Sequence, residues 1–295
     1  MNPQSLAEPI RKSAVLVEAL PYIQSFRGCT FLIKVGGSAM EDPGLVRNLM
    51  RDIVLLEAVG IDPVVVHGGG KAITQAMEAK GLKARWVDGI RVTDEETIQV
   101  VEETLSRVIN PGLVRMIGEF GGKACGISGR DVFRGRRTYG RAADGSALDL
   151  GFVGEVVRCE VGPVLEAANN EIVPVLSPVA SEEGTGHPLN VNADIAAAAL
   201  AKSIGAHKLI YLSDVLGLMR DPKDPATLIT TVDRAGINRL IEEGVITGGM
   251  IPKMRSALDA LSSGVAKIHL IDGRIHHSLL LEIFTTVGIG TEIVA

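Results

Sequence analysis

Five short runs are apolar on almost every residue, from Thr30 to Val35, Pro63 to Val66, Ile172 to Leu176, Lys208 to Leu212 and Lys267 to Ile271. Continuous apolar runs of this length read as strands buried on both faces, and such strands belong to parallel sheets covered by helices. The covering helices are predicted over Pro43 to Val59, Ala72 to Ala79, Glu95 to Val108, Ala193 to Lys202, Arg234 to Glu243 and Pro252 to Ser262. Three predicted helices open on proline, whose missing N–H costs nothing at the first position: Pro43, Pro111 and Pro252. The alternation predicts an α/β fold with a mainly parallel sheet. Only 3% of the chain is aromatic, so its core must be aliphatic. Between Gly121 and Glu160, alternating runs such as Phe152 to Val157 predict antiparallel hairpins inserted between α/β units, and a second lobe is expected after Pro178.

Charge and cysteine usage narrow the function classes. Thirty basic against 35 acidic residues leave a net charge of −5, which argues against a surface that neutralises nucleic-acid phosphates. Cys29, Cys125 and Cys159 are odd in number and far apart, matching neither a disulfide framework nor a zinc knuckle. No apolar run approaches the roughly 18 residues of a membrane span, and Lys12 and Glu18 interrupt any secretory core. A cytoplasmic protein without membrane or nucleic-acid partners is expected. Residues 13 to 26 place Val15, Leu16, Ala19, Leu20, Ile23 and Phe26 at helical spacing around Pro21, which should kink the helix. Such a helix either lies on its own core or is offered to a neighbouring subunit.

The 34 glycines exceed the usual ~7%, and several fall where a predicted strand gives way to a helix. Lys34-Val-Gly-Gly-Ser places Gly36 and Gly37 after a strand, where backbone N–H groups can approach an anion beside a lysine. An ordinary βα turn is the alternative. Val64-Val-Val-His-Gly-Gly-Gly-Lys repeats the arrangement with Gly68, Gly69 and Gly70, and fits neither a Walker A loop nor a dinucleotide fingerprint. Three consecutive glycines there are hard to explain by packing; His67 and Lys71 carry no assigned chemistry. In Gly89-Ile-Arg-Val-Thr-Asp, Thr93 or Asp94 reads as a helix cap, and Arg91 is either a surface charge or a bidentate partner for a carboxylate. Asn190 and Asn192 precede a helix that one of them should cap, with Asp194 in its first turn. Leu212-Ser-Asp-Val-Leu-Gly and Thr247-Gly-Gly-Met-Ile-Pro-Lys put polar and small residues where α/β folds bind ligands. Lys253 is out of place near a positive helix end, which hints at a compensating anion.

Six motifs in this order, from Lys34-Val-Gly-Gly to Gly248-Gly-Met-Ile-Pro-Lys, resemble the amino acid kinase family over essentially the whole chain. The resemblance implies a three-layer αβα sandwich, with residues 27–178 as the acceptor-binding lobe and 179–295 as the ATP-binding lobe. It is nearest to members that phosphorylate the γ-carboxylate of N-acetyl-L-glutamate with ATP and Mg²⁺ on the route to arginine. Lys34 and Lys253 would then stabilise the transferring phosphoryl group, held by Asp194. Gly69, Gly70, Arg91 and Asn190 would bind the acceptor, and Gly36, Gly37, Ser213, Asp214 and Gly249 the nucleotide. No metal held by protein side chains is implied, because Mg²⁺ would arrive on ATP. Other acceptors of the family, such as carbamate, UMP or glutamate, are the enzymatic alternative, and a catalytically weak arginine sensor is another.

The resemblance also implies that residues 1–26 interlace dimers into a hexamer inhibited by L-arginine. The arginine site would lie between that helix and the C-terminal segment, with Tyr22, His269, Glu282 and Gly288 around it and Asp272 and Gly273 nearby. Val35 and Trp86 stand where relatives more often have Tyr and Phe; neither departure removes a charge. The stretch Arg130, Arg134, Arg136, Arg137, Arg141 has no fixed role in the family. It reads as a solvated hairpin, with contact to a regulatory protein as the alternative.

Overall fold

The computed structural model describes residues 3–141, 146–285 and 288–295. Helix α1 (Pro3–Phe26) leads into β1 (Thr30–Val35), α2 (Pro43–Ala58), β2 (Asp62–His67) and α3 (Gly70–Ala79). A small ribbon, β3 (Trp86–Val87) and β4 (Ile90–Arg91), precedes α4 (Glu95–Glu102) and α5 (Asn110–Glu119). Next come β5 (Ala124–Ile127), the short α6 (Gly129–Val132), the hairpin β6 (Phe133–Arg141) and β7 (Ala147–Cys159), and α7 (Gly162–Asn169). Strands β8 (Val173–Leu176), β9 (Val179–Glu182) and β10 (Pro188–Val191) lead to α8 (Ala193–Ser203) and β11 (Lys208–Ser213). The chain closes with β12 (Thr231–Val232), α9 (Arg234–Glu242), α10 (Met250–Ser262), β13 (Lys267–Asp272), α11 (Ser278–Phe284) and β14 (Thr291–Ile293).

Eight strands form one sheet in the order β12-β14-β13-β11-β1-β2-β8-β5, parallel except for the β13–β14 pair. Successive residues of a strand point to opposite faces, and both faces are covered. Leu32, Val64, Val66, Leu209 and Tyr211 pack on one side with α8 and α10 residues such as Ala197, Leu200, Met254 and Leu258. Phe31, Ile33, Val65, Ile210 and Leu212 pack on the other with Met50 and Ile53 of α2, Ile117 of α5 and Ile283 of α11. The expected αβα sandwich results, and its core is aliphatic. The five strand runs match β1, β2, β8, β11 and β13 within a residue or so.

Three local expectations need correction. The segment after Gly121 is only partly hairpin: β5 pairs in parallel with β8 at the sheet edge, and the antiparallel hairpin is β6–β7. With β9 and β10 that hairpin closes into a small four-stranded barrel. Pro111 does not start a separate helix. Ile109 before it is αR, and the helix runs from Glu95 through a π-helical stretch, Glu103–Ile109, into α5. The wider winding is marked by the Asn110 N–H donating to the Leu105 carbonyl, and proline's missing donor is tolerated at such an irregular turn. Pro252 is the third residue of α10, which begins at Met250.

The N-terminal helix is longer than its apolar stretch and runs through Pro9 and Pro21. It does not lie on its own core along most of its length. Phe26 joins the cluster beneath β1, whereas Ile10, Val15, Leu16, Val17 and Leu20 are exposed, Leu16 by 73%.

Candidate active site

Strands β2, β1, β11 and β13 are neighbours that run in parallel, so their C-terminal ends share one edge of the sheet. Lys34 is the penultimate residue of β1, paired in register with Val66 and Tyr211 and almost completely buried. Its side chain folds back over Gly36: a Cβ there would collide with Lys34 Nζ and lie 2.8 Å from Cε. The glycine therefore makes room for the lysine. Nζ lies 2.8 Å from Asp194 Oδ1, and Lys253 Nζ lies 3.2 Å from Oδ2 of the same carboxylate.

Helix geometry explains how these three groups meet. Asn192 caps α8, its Oδ1 accepting from the Asp194 N–H at 2.8 Å and the Ile195 N–H at 3.4 Å. Asp194 thus sits in the first turn, where an anion is favoured. Lys253 occupies the first turn of α10, where a cation is disfavoured, and Asp194 supplies the compensating charge. Burial would raise the Asp194 pKa, but the two ammonium groups outweigh it and hold the carboxyl below its ordinary range. The cluster keeps one positive charge in surplus. Tyr211, fully buried, donates to the Asp194 carbonyl at 3.3 Å and lays its ring 5.7 Å from Lys253 Nζ.

The glycines around this cluster serve different needs. Gly37 adopts a positive φ of 63°, and Asp214 lies against it. Gly68 packs on Gly36, where a Cβ would sit 3.6 Å from the Gly36 Cα, and its N–H donates to the Val35 carbonyl at 2.7 Å. Gly69 is needed for packing after all, because a Cβ would meet Leu105 at 2.6 Å and crowd Ile109. Gly70 faces open space at the start of α3, which has no side-chain cap. The first N–H groups of that helix therefore have no intrahelical partner.

Arg91 is no surface charge. Only 5% exposed, it donates to the Gly70 carbonyl at 2.9 Å, Thr74 Oγ1 at 2.8 Å and Met77 Sδ at 3.3 Å. No acidic side chain among the described residues forms an ion pair with it. Burial lowers its pKa. Asn190 donates to Thr93 Oγ1 at 3.1 Å, and Thr93 donates to the Arg91 carbonyl at 2.8 Å, so the two predicted acceptor residues are joined through a hydroxyl. Asp94, not Thr93, caps α4 through Thr97 N–H. His67 is fully buried between Asn110 and the Gly68 carbonyl; burial drops its pKa to about 4, leaving it a neutral structural residue. Lys71 pairs on the surface with Glu41.

On the opposite flank, Ser213 ends β11 and donates to Asp214 Oδ1 at 3.3 Å. Gly249 precedes α10, another helix without a side-chain cap, and Gly248 has φ +54°. The edge thus combines surplus positive charge with two uncapped helix starts, a chemistry that binds and stabilises an anion. Among the described residues no group of three or more His, Cys, Asp or Glu is placed to hold a metal.

A separate cavity of about 540 Å³ brings together all four residues expected around the effector: Tyr22, His269, Glu282 and Gly288. Lys208, Lys267 and Glu292 also line it. His269 Nδ1 lies 2.6 Å from Glu282 Oε1, and Glu282 Oε2 accepts from the Ile289 N–H at 2.8 Å. Burial works against the charge on Glu282, yet His269 and the Ile289 N–H hold its pKa below the ordinary value. Asp272 lies outside this cavity and pairs with Arg274 at 2.7 Å. The arginine-rich stretch runs from α6, which carries Arg130, into β6 and is largely ion-paired: Arg130 with Glu102, Arg134 with Glu160, Arg136 with Glu155 and Arg137 with Glu182.

Tyr211 and Thr93 escaped the sequence reading. Tyr211 is masked by its apolar strand, and its register with Lys34 is the one signal that marks it. Thr93 looked like a cap, whereas its hydroxyl serves Arg91.

The amino acid kinase family model matches residues 30–272. An acetylglutamate kinase of Akkermansia muciniphila is 56% identical over 285 residues, covering 97% of this chain and 96% of that protein. Among solved structures, an N-acetylglutamate synthase from Neisseria gonorrhoeae complexed with coenzyme A and N-acetyl-glutamate superposes with a TM-score of 0.83 at 26% identity. The same synthase complexed with coenzyme A and L-arginine gives 0.78, also at 26% identity. Each match covers 96% of this chain, which spans 63% and 65%, respectively, of the synthase chains.

Proposed function

The chain belongs to the amino acid kinase family, and on that premise we propose that it transfers the γ-phosphoryl group of ATP to the γ-carboxylate of N-acetyl-L-glutamate. The observation that carries this reading is the Lys34–Asp194–Lys253 cluster at the strand edge. A carboxylate is already ionised at neutral pH, so its oxygen attacks phosphorus without a general base. A carboxyl O–P bond forms, the bond from the γ-phosphorus to the bridging oxygen breaks, and ADP leaves with the electron pair. Charge spreads over the phosphoryl oxygens during this step, and two fixed ammonium groups lower its energy. Mg²⁺ bound to the nucleotide would neutralise further phosphate charge.

Arg91 and Asn190 hold the acceptor's α-carboxylate and neighbouring polar atoms, and the backbone N–H groups of Gly69 and Gly70 face its γ-carboxylate. Gly36, Gly37, Ser213, Asp214 and Gly249 border the nucleotide. Residues 27–178 then act as the acceptor lobe and 179–295 as the nucleotide lobe. Support comes from Arg91, buried beside an uncapped helix start with no acidic ion-pair partner among the described residues.

The cavity around Tyr22, His269, Glu282 and Gly288 binds L-arginine as an inhibitor in this reading, with Glu282 receiving the guanidinium. The arginine complex of the related synthase supports it. The exposed apolar face of α1 joins subunits into a hexamer.

An ADP-release assay across N-acetyl-L-glutamate, carbamate, UMP and L-glutamate tests the acceptor. Clear preference for acetylglutamate is expected, and preference for any of the others overturns the reading.

A further inference from the structure

Trp86 is 54% exposed, although it is the only tryptophan in the chain and an apolar side chain of its size is normally covered. It stands directly opposite Arg91 in the β3–β4 ribbon. The turn between them is fixed: Asp88 and Gly89 both have positive φ, 50° and 77°, the two-residue type I′ pattern that sets hairpin register. The pairing places the Arg91 guanidinium carbon 4.4 Å from the centre of a Trp86 ring. Beneath it, the guanidinium donates to Gly70, Thr74 and Met77. Those contacts engage three of its five N–H groups.

We propose that Trp86 is a positioning residue for the acceptor, acting through Arg91. The indole face attracts the cation and covers it, doing what a carboxylate partner would otherwise do without neutralising the charge. A carboxylate partner in the protein would compete with the acceptor for the same donors. An aromatic face also holds the guanidinium against α3, and leaves its remaining N–H groups for the acceptor's carboxylate. The inference rests on the reading of Arg91 as the acceptor's carboxylate site. Because the far side of the indole is open, substitution there leaves the core intact.

The test uses the full-length enzyme and two readouts. Tryptophan emission, excited at the red edge where tyrosine does not absorb, comes from Trp86 alone, so titration with N-acetyl-L-glutamate should give a saturable change whose midpoint follows the acceptor KM, with little response to MgATP by itself. Steady-state kinetics of Trp86→Phe, Trp86→Leu and Trp86→Ala supply the second. The acceptor KM should rise about 5- to 30-fold in Trp86→Leu, which keeps bulk but has no π face, and by only about two- to fourfold in Trp86→Phe. KM for ATP and the melting temperature should stay put in all three. Equal KM values for the Phe and Leu variants, or a silent fluorescence titration with normal turnover, would overturn this role and leave the kinase reading standing. Failure of the wild type to phosphorylate acetylglutamate would overturn both.

Discussion

Replacing Asp194 by Asn removes the charge that holds Lys34 and Lys253 while keeping the side chain's shape. At 2.8 and 3.2 Å the two attractions are about 6 and about 5 kcal/mol for an effective dielectric of about 20. Desolvation of all three groups offsets much of that, and stripping one partner from a buried pair costs about 3–5 kcal/mol in practice. With an unfolding entropy of about 2.1 cal/mol/K per residue, 295 residues give about 0.6 kcal/mol/K, so Tm should fall by about 5–8 °C. Turnover should drop by about 10²- to 10³-fold as the ammonium groups drift from the reacting phosphoryl group. Nucleotide phosphates supply negative charge to the same lysines, so saturating MgATP should narrow the Tm gap between variant and wild type. The pH dependence has a definite sign. The Asp194 pKa is lowered in the folded protein, so its contribution is complete above the ordinary aspartate range and is lost as pH falls through the folded value; the gap should close in acid. Differential scanning calorimetry with and without MgATP, beside turnover, measures all of this. A Tm within 1 °C of wild type with normal turnover, or a gap that MgATP leaves untouched, would refute the assignment of this cluster to the phosphates.

Gly36→Ala pushes a methyl group into Lys34 Nζ, the movable end of a flexible side chain, so turnover should fall roughly tenfold or more, with a Tm loss smaller than that of Asp194→Asn because the carboxylate keeps Lys253. A large Tm loss without a kinetic effect would mean that the glycine serves packing alone. Glu282→Gln should raise the arginine concentration for half-inhibition by about tenfold or more, since a charge-assisted pair becomes neutral. Because the Glu282 pKa is lowered, wild-type inhibition should persist through the ordinary glutamate range and fade only below it. If α1 joins subunits as proposed, the full chain should run as a hexamer in light scattering, and removing residues 1–26 should give smaller species and weaken the proposed arginine inhibition; an unchanged assembly would place the interface elsewhere.

The sheet was legible because its strands are buried on both faces, and burial on both faces leaves an uninterrupted apolar run. The same logic hid β5. Ala124-Cys-Gly-Ile carries two small residues at the sheet edge, where Gly126 makes room for the buried amide of Asn110, so no apolar run marks it. Pro111 misled for a related reason. Proline breaks an ideal helix, and only the π-helical winding before it lets one helix continue, a deviation with no local sequence signature.

At the site, legibility followed misfit rather than composition. Lys253 was detectable because a cation in the first turn of a helix opposes the dipole, and the structure resolves the conflict with Asp194. Lys34 was a charge inside an apolar strand, resolved by the same carboxylate. A residue that violates its local environment needs a partner, and the partner is where function concentrates. Arg91 and Tyr211 broke no local rule, so their roles depended on contacts across the fold: Gly70 and Trp86 for one, Asp194 and Lys253 for the other. Trp86 follows the same principle at the surface. An exposed indole is tolerable where it covers a charge that must stay unpaired, and the fold that buries Arg91 without an acidic ion-pair partner among the described residues gives the indole that purpose.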